Sequence, residues 1–202
     1  MSDIKFGFFD IKKLPLVIVD NYFNDEELSD IWKELDFLSI GNKFLPETEI
    51  GSATDANNKL QKKGSGLWLG EFYRNPLSSS EIVKITKKIY SHEIMNKLIE
   101  NNYFFSYLEK CKDDNVLINY YENNDFYKSH RDNCTVTCLI WLYKQPKKFF
   151  GGDLIVEDSF HVECVYNRLV IFPSILRHAI TEIRIDTNEK YSGRYAITHF
   201  IQ

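Results

Sequence analysis

The order of segments in this chain predicts an α+β fold, with helices first and then strands that close into a two-sheet barrel or jelly roll, the helices packed on one sheet. Three observations predict it. The N-terminal part carries apolar residues at helical spacing, whereas from Val116 onward the pattern changes to short β-branched and aromatic runs. Turn signals at Gly151-Gly152, Asp158-Ser159 and Tyr166-Asn167 separate those runs. A length of 202 residues suffices for one domain with a sizeable core and is short for two. The expected organisation is a single domain over 1–202, with 1–115 as mainly helical support and 116–202 as the barrel core.

Leu14 to Val19 (LPLVIV) reads as a strand that exits at Asp20-Asn21. Asn24 and Glu27 then form a capping-box pattern, the amide oxygen of one and the carboxylate of the other placed to satisfy free N–H groups of a helix start. Leu28, Ile31, Trp32 and Leu35 give that helix one apolar face, suited to buttress a sheet. Residues 41–66 are rich in Gly, Asn and Ser and read as a flexible loop, with a lid over a functional site as the sharper reading. Leu67-Trp68-Leu69 and Phe72-Tyr73 return the chain as a strand. Ser78 and Glu81 form a second capping-box pattern, opening a helical region that carries Ile82, Ile85, Ile89, Ile94 and Leu98. Asn101-Asn102 interrupts it, and Tyr103 to Cys111 continues as a further helix. The expected strands are Val116–Tyr121, Thr135–Tyr143, Asp153–Glu157, Phe160–Cys164, Arg168–Phe172, His178–Arg184 and Tyr195–Phe200.

Apolar content of 44% against 27% charged residues fits a packed globular chain and excludes a disordered one. Fifteen Phe and twelve Tyr foretell an aromatic-rich interior. The net charge of −4 argues against a nucleic-acid partner, and the pairs Lys62-Lys63, Lys87-Lys88 and Lys147-Lys148 read as solvated surface. The start MSDIKFGFFDIKKLP lacks the pattern of a secretory signal. No apolar run approaches the ~20 residues that span a bilayer. A cytoplasmic protein with no membrane partner is therefore expected. Cys111, Cys134, Cys138 and Cys164 are scattered and read as reduced core thiols. Zinc on Cys134, Cys138 and His130 would need a helix where Thr135-Val136-Thr137 reads as strand.

The chemistry concentrates between Tyr120 and Phe200. In His130-Arg131-Asp132 the alternation of an extended strand turns His130 and Asp132 to one side and Arg131 to the other. His178 follows the apolar strand Leu169–Phe172, and Arg194 opens the last strand. Two imidazoles and one carboxylate leave part of an octahedral metal open, which is the ligand set of non-haem Fe(II) oxygenases. A buried arginine suits a dicarboxylate, because its planar fork matches carboxylate geometry. If Arg194 faces inward, Ala196 and Thr198 do too, with Thr198 offering a hydroxyl, while Tyr195, Ile197 and His199 face away. His92, His161 and His199 read as surface or packing histidines, and Arg177 and Arg184 as weaker rivals of Arg194.

The ordered set of H-x-D at His130 and Asp132, GGDL at Gly151 to Leu154, F-P-S…H ending at His178, and G-R-Y-A-I-T at Gly193 to Thr198 resembles the Fe(II)- and 2-oxoglutarate-dependent dioxygenase superfamily, in its prolyl 4-hydroxylase-like branch. The resemblance implies a double-stranded β-helix core and a metal held by His130, Asp132 and His178, the last reaching it from across the barrel. It implies 2-oxoglutarate with its far carboxylate on Arg194, and Tyr120 lining the cosubstrate pocket. Fe(II), 2-oxoglutarate and dioxygen are the implied cofactor set, with ascorbate a candidate reductant beside them. Asp132 favours hydroxylation, because halogenating relatives lack that carboxylate. Two departures stand out: the stretch Asp186–Lys190 lengthens the last hairpin, and Trp141 replaces a cosubstrate-binding tyrosine of the hypoxia-sensing type. Indole can donate a hydrogen bond but cannot accept one. The implied activity is hydroxylation of an unactivated C–H bond in a prolyl or other amino-acid side chain of a peptide or protein. A free amino acid or small metabolite is the alternative substrate, and a catalytically silent binding module the alternative of another class.

Overall fold

The computed structural model describes residues 3–51, 53–55, 57–187 and 189–202. It opens with a hairpin of β1 (Lys5–Ile11) and β2 (Leu14–Asp20), joined by Lys12 and Lys13, both at positive φ as a two-residue hairpin turn of the I′ kind requires. Only β2 was expected. Helix α1 (Asp25–Ile40) starts at the foreseen capping box: Glu27 N–H donates to Asn24 Oδ1 at 2.9 Å, and Asn24 N–H to Glu27 Oε2 at 2.8 Å. Ile31, Leu35 and Leu38 on its inner face are fully buried.

The stretch expected to be a flexible loop is tied to both sheets among its described residues; Ser52 and Ala56 lie outside them. It holds β3 (Leu45–Pro46), the single turn α2 (Glu47–Ile50), β4 (Lys62–Lys63) and β5 (Ser65–Trp68). Short helices α3 (Leu69–Phe72) and α4 (Pro76–Ser79) follow, so Phe72 is helical and not on a strand. Helix α5 (Glu81–Thr86) is capped by Ser80, which accepts from Val83 N–H at 3.1 Å, and not by Ser78. The reason lies in α1: buried Glu34 accepts from Ser80 Oγ at 2.8 Å and Ile82 N–H at 2.9 Å, bringing an anion to the helix start from another element. A 3₁₀ turn, α6 (His92–Asn101) and a second 3₁₀ segment (Tyr103–Glu109) complete the helical layer. No helix among the described residues is long and apolar enough to cross a membrane.

The remaining strands are β6 (Asp114–Tyr121), β7 (Phe126–His130), β8 (Val136–Tyr143), β9 (Phe149–Phe150), β10 (Leu154–Val156), β11 (Phe160–Val162), β12 (Arg168–Pro173), β13 (His178–Ile180), β14 (Arg184–Ile185) and β15 (Arg194–Ile201). The larger sheet runs β1-β2-β12-β8-β15-β6-β5-β3, the smaller β11-β10-β13-β7-β4, and β9 pairs with β14. These two facing antiparallel sheets are the jelly roll the sequence predicts, on an α+β frame. Strands β1–β5 precede residue 115 yet join both sheets, so the expected division between a helical part and a barrel part does not follow the architecture.

Two apolar cores result. Leu35, Ile82, Leu98 and Phe105 of the helical layer pack with Ile118, Ile140, Ile171 and Ile197 on the outer face of the large sheet. Trp141, Val170 and Phe172 on its inner face meet Leu154, Val156 and Ile180 of the small sheet. Alternation along each strand feeds both cores at once, which is why β8 is buried along its whole length. A cavity of about 540 Å³ opens between the sheets beside the second core.

Candidate active site

His130 is the last residue of β7 and His178 the first of β13, and the two strands pair with these histidines directly opposite each other. His178 therefore reaches the site from the adjacent strand and not from across the barrel, because the antiparallel pairing brings one strand's end beside the other's start. Asp132 lies two residues beyond β7. Its Oδ1 is 3.6 Å from His130 Nε2 and its Oδ2 3.3 Å from His178 Nε2. Ligand atoms of the three residues fall within 4.8 Å of one another, and among the described residues this is the only such cluster of His, Cys, Asp or Glu.

Each imidazole is oriented by its own backbone. His130 Nδ1 donates to Lys128 O at 2.8 Å, and His178 Nδ1 to Leu176 O at 3.0 Å. A carbonyl only accepts, so the protons sit on Nδ1 and both Nε2 atoms turn toward Asp132. Thr137 Oγ1 donates to Asp132 Oδ2 at 2.7 Å, fixing the carboxylate from β8. Tyr127 stacks on the His130 ring at 3.5 Å, and Phe172 sets its edge against His178 at 5.0 Å. Burial opposes the charge on Asp132, yet the imidazoles of His130 and His178 beside it and the Thr137 hydroxyl outweigh it and hold its pKa well below the usual carboxylate range. His130 is shifted down, chiefly by burial. Protons and a metal ion compete for this convergence of acceptors.

Arg194 is completely buried and lines the same cavity. Its Nη1 donates to Gly152 O at 2.5 Å, while Nε and Nη2 have no hydrogen-bond partner among the described residues. Those two atoms form the edge of the guanidinium that presents parallel N–H bonds, the edge a carboxylate takes up. The Tyr121 ring lies 4.5 Å and the Trp141 ring 5.9 Å from the guanidinium carbon, and the buried Trp141 N–H is likewise unspent. Gly151 and Gly152 both sit at positive φ, which turns the Gly152 carbonyl onto the arginine. At Gly193 a side chain would run into the Tyr121 carbonyl, so the chain can enter β15 here only as glycine.

Ala196 and Thr198 follow Arg194 on the cavity face, as alternation requires. Tyr120 does not line the cavity. It belongs to the outer face of the large sheet, where its hydroxyl accepts from Gly193 N–H at 3.2 Å and its ring packs on Tyr195. The register decides this: Arg194 pairs with Tyr121, and the inward positions of β6 are Leu117, Asn119 and Tyr121. His199 faces away and bonds Asp114 through Nδ1 at 2.8 Å; His92, Arg177 and Arg184 are exposed, and His161 pairs with Asp153 at the surface. Cys134 bonds Ser174, whereas Cys138 is buried in the core. Of the expected hairpin extension Asp186–Lys190, Asn188 lies outside the described residues.

Sequence reasoning missed Tyr121, Thr137, Asn119 and Lys62, all lining the cavity. The pairing of β6 with β15 would have revealed Tyr121; nothing in the sequence around Lys62 separates it from a surface lysine. The residues present fit the group the resemblance implies. Three converging acceptors suit a divalent iron with open positions, and an unspent arginine edge in the same cavity suits the far carboxylate of 2-oxoglutarate.

Comparison with known proteins agrees. Residues 116–202 match the model of the 2OG-Fe(II) oxygenase superfamily. The PKHD-type hydroxylase YbiX of Escherichia coli is 26% identical over 107 residues, which is 46% of this chain and 47% of that relative, so the similarity spans about half of each. Among solved structures, a prolyl-4-hydroxylase of Pseudomonas putida superposes with a TM-score of 0.60 at 16% identity, covering 93% of this chain and 91% of its own. The viral collagen prolyl hydroxylase vCPH of Paramecium Bursaria Chlorella virus-1, solved as a 2OG complex, gives 0.53 at 13% identity over 92% and 94% of the two chains. Matched segment, ordered motifs and architecture converge: residues 116–202 match the 2OG-Fe(II) oxygenase superfamily, and the chain has the fold of the prolyl-4-hydroxylase structures.

Proposed function

We propose that the protein is an Fe(II)- and 2-oxoglutarate-dependent dioxygenase that hydroxylates an unactivated C–H bond in a prolyl or other amino-acid side chain of a peptide or protein. The observation that carries this reading is the meeting, in one cavity, of the His130–Asp132–His178 cluster and the unspent edge of buried Arg194. When bound, iron and 2-oxoglutarate supply the activation of dioxygen that such a bond demands. The chain's own residues do the rest. His130 and His178 present Nε2 because their Nδ1 protons are held by carbonyls, and Asp132 stays charged and fixed through Thr137. Arg194, itself completely buried, would orient the cosubstrate by a paired hydrogen bond. Trp68 and Phe200, with rings 5.4 Å apart, give the outer cavity an apolar wall against which an aliphatic ring can lie. The prolyl-hydroxylase neighbours support an amino-acyl substrate, and the four free cysteines support a reducing, cytoplasmic setting.

The test is an anaerobic titration of Fe(II) and then 2-oxoglutarate, following the weak visible charge-transfer band of the complex. The band should form with wild-type protein, vanish in Asp132→Ala, and need far more 2-oxoglutarate in Arg194→Ala. Well-folded protein that forms no band would favour the silent binding module. An Asp132→Ala variant consuming 2-oxoglutarate at the wild-type rate would remove the triad from the assignment.

A further inference from the structure

Lys62 looks in sequence like half of a surface lysine pair, yet it is only 2% exposed and lines the cavity. Its strand β4 pairs with β7 at Tyr127, the residue stacked on His130, and its Nζ lies 5.3 Å from the centre of the Tyr127 ring. From there the side chain crosses to the large sheet, where Nζ donates to Asn119 Oδ1 at 2.5 Å. An ammonium has three N–H bonds, and Asn119 is its one hydrogen-bond partner among the described residues. Among the described residues no carboxylate lies within ion-pair distance of it; Glu47 and Asp132 act on it only from farther away. A buried cation without a counter-charge is costly, and the desolvation shows in a pKa drawn down to about 8.

The position of Lys62 says what would complete it. Asn119 stands opposite Ala196, one inward step nearer the outer cavity than the facing pair Tyr121 and Arg194. Asp132 answers the charge of the metal, and Arg194 that of the cosubstrate's far carboxylate. Lys62 is then the buried cation of the cavity wall with nothing to answer it. Resting on the functional reading above, we infer that Lys62 and Asn119 form a second carboxylate-docking point and that its occupant is an acid group of the primary substrate. Among amino-acyl substrates this selects those with a free carboxylate close to the attacked carbon, such as the C-terminal residue of a peptide. It gives the cavity two acid anchors, Arg194 for the cosubstrate and Lys62 for the molecule to be oxidised.

The experiment loads wild-type protein and Lys62→Met with Zn(II) and 2-oxoglutarate, then measures binding of acetate and its neutral counterpart acetamide by saturation-transfer NMR. Lys62→Gln, which keeps polarity without charge, serves if the methionine variant folds poorly. Acetate should bind the loaded wild type, acetamide should not, and either variant should weaken acetate at least tenfold. The affinity for 2-oxoglutarate, read from the anaerobic charge-transfer titration, should stay within about threefold. Acetate bound equally with and without the lysine, or not bound by wild type at all, overturns the proposal. A tenfold loss of 2-oxoglutarate affinity in the variants overturns it as well, by giving the lysine to the cosubstrate. Wild-type protein that takes up no 2-oxoglutarate overturns the functional reading beneath it, a separate result from failure of the acetate comparison alone.

Discussion

Thr137 shows how much of the proposed metal centre depends on residues outside the His130–Asp132–His178 cluster. Its hydroxyl holds Asp132 Oδ2 at 2.7 Å and also meets Ser174 at 2.8 Å. Thr137→Val keeps the shape and removes the hydrogen bond, and should weaken Fe(II) binding by about 10–100-fold, measured by metal titration on folded protein. Lys62 yields a prediction on stability. Its proton is bound less tightly in the folded state, at about 8, than at the ordinary 10.5, because burial disfavours the charge. Between those values the unfolded chain holds more protons, so the sign is a stability that rises with pH there, with the full penalty present below about 8. Lys62→Met should therefore raise the unfolding free energy at neutral pH, on the order of 3 kcal/mol, and the gain should shrink toward the ordinary lysine pKa. Urea unfolding at a series of pH values checks both. At this scale the clustering of His130, Asp132 and His178 and the burial of Arg194 in the same cavity were legible because each residue sits in a motif. Tyr120 was chosen over Tyr121 because neighbouring tyrosines differ only in which face they occupy, and a face is set by strand register.

Helix α1 acts as a brace through Glu34 as much as through its apolar face. That buried carboxylate takes the Ser80 hydroxyl and the Ile82 N–H, so Glu34→Ala strands two donors and should cost about 1–3 kcal/mol by chemical denaturation. Asn24→Ala removes the cap at the other end of the same helix and should cost about 1 kcal/mol. If the Glu34 variant lost no more than the Asn24 one, the buried network would matter less than its geometry implies. The Asn24 cap was legible because its partner is local in sequence. Capping by Glu34 was not, since the partner lies on a different helix, and the reading settled on Ser78 instead. Strand β1 was missed because KFGFFDI leaves most of its side chains exposed or half-exposed on both faces, so no period-two pattern marks it. Strand β7, FYKSH, is equally poor in β-branched residues and is a strand because of its neighbours β13 and β4.

For the molecule as a whole, the jelly roll and its helical layer follow from segment order, whereas the distribution of strands β1–β5 over both sheets does not, because pairing partners distant in sequence leave no local trace. The strands of the two sheets alternate along the chain, and the site draws on both. His130 and His178 lie on the small sheet; Arg194, Tyr121 and Thr137 lie on the large one. Metal and 2-oxoglutarate at about a hundredfold above their dissociation constants should stabilise the fold by about 2.7 kcal/mol, seen as a higher melting temperature. That stabilisation has a direction. A dicarboxylate held at one end through a metal on His130, Asp132 and His178 and at the other by Arg194 would be a tie-rod between two plates, loaded whenever they part. Its arrival should slow amide exchange most along β7 and β13, the plate that carries fewer strands, so the cosubstrate would set the stiffness of the barrel before any substrate is touched.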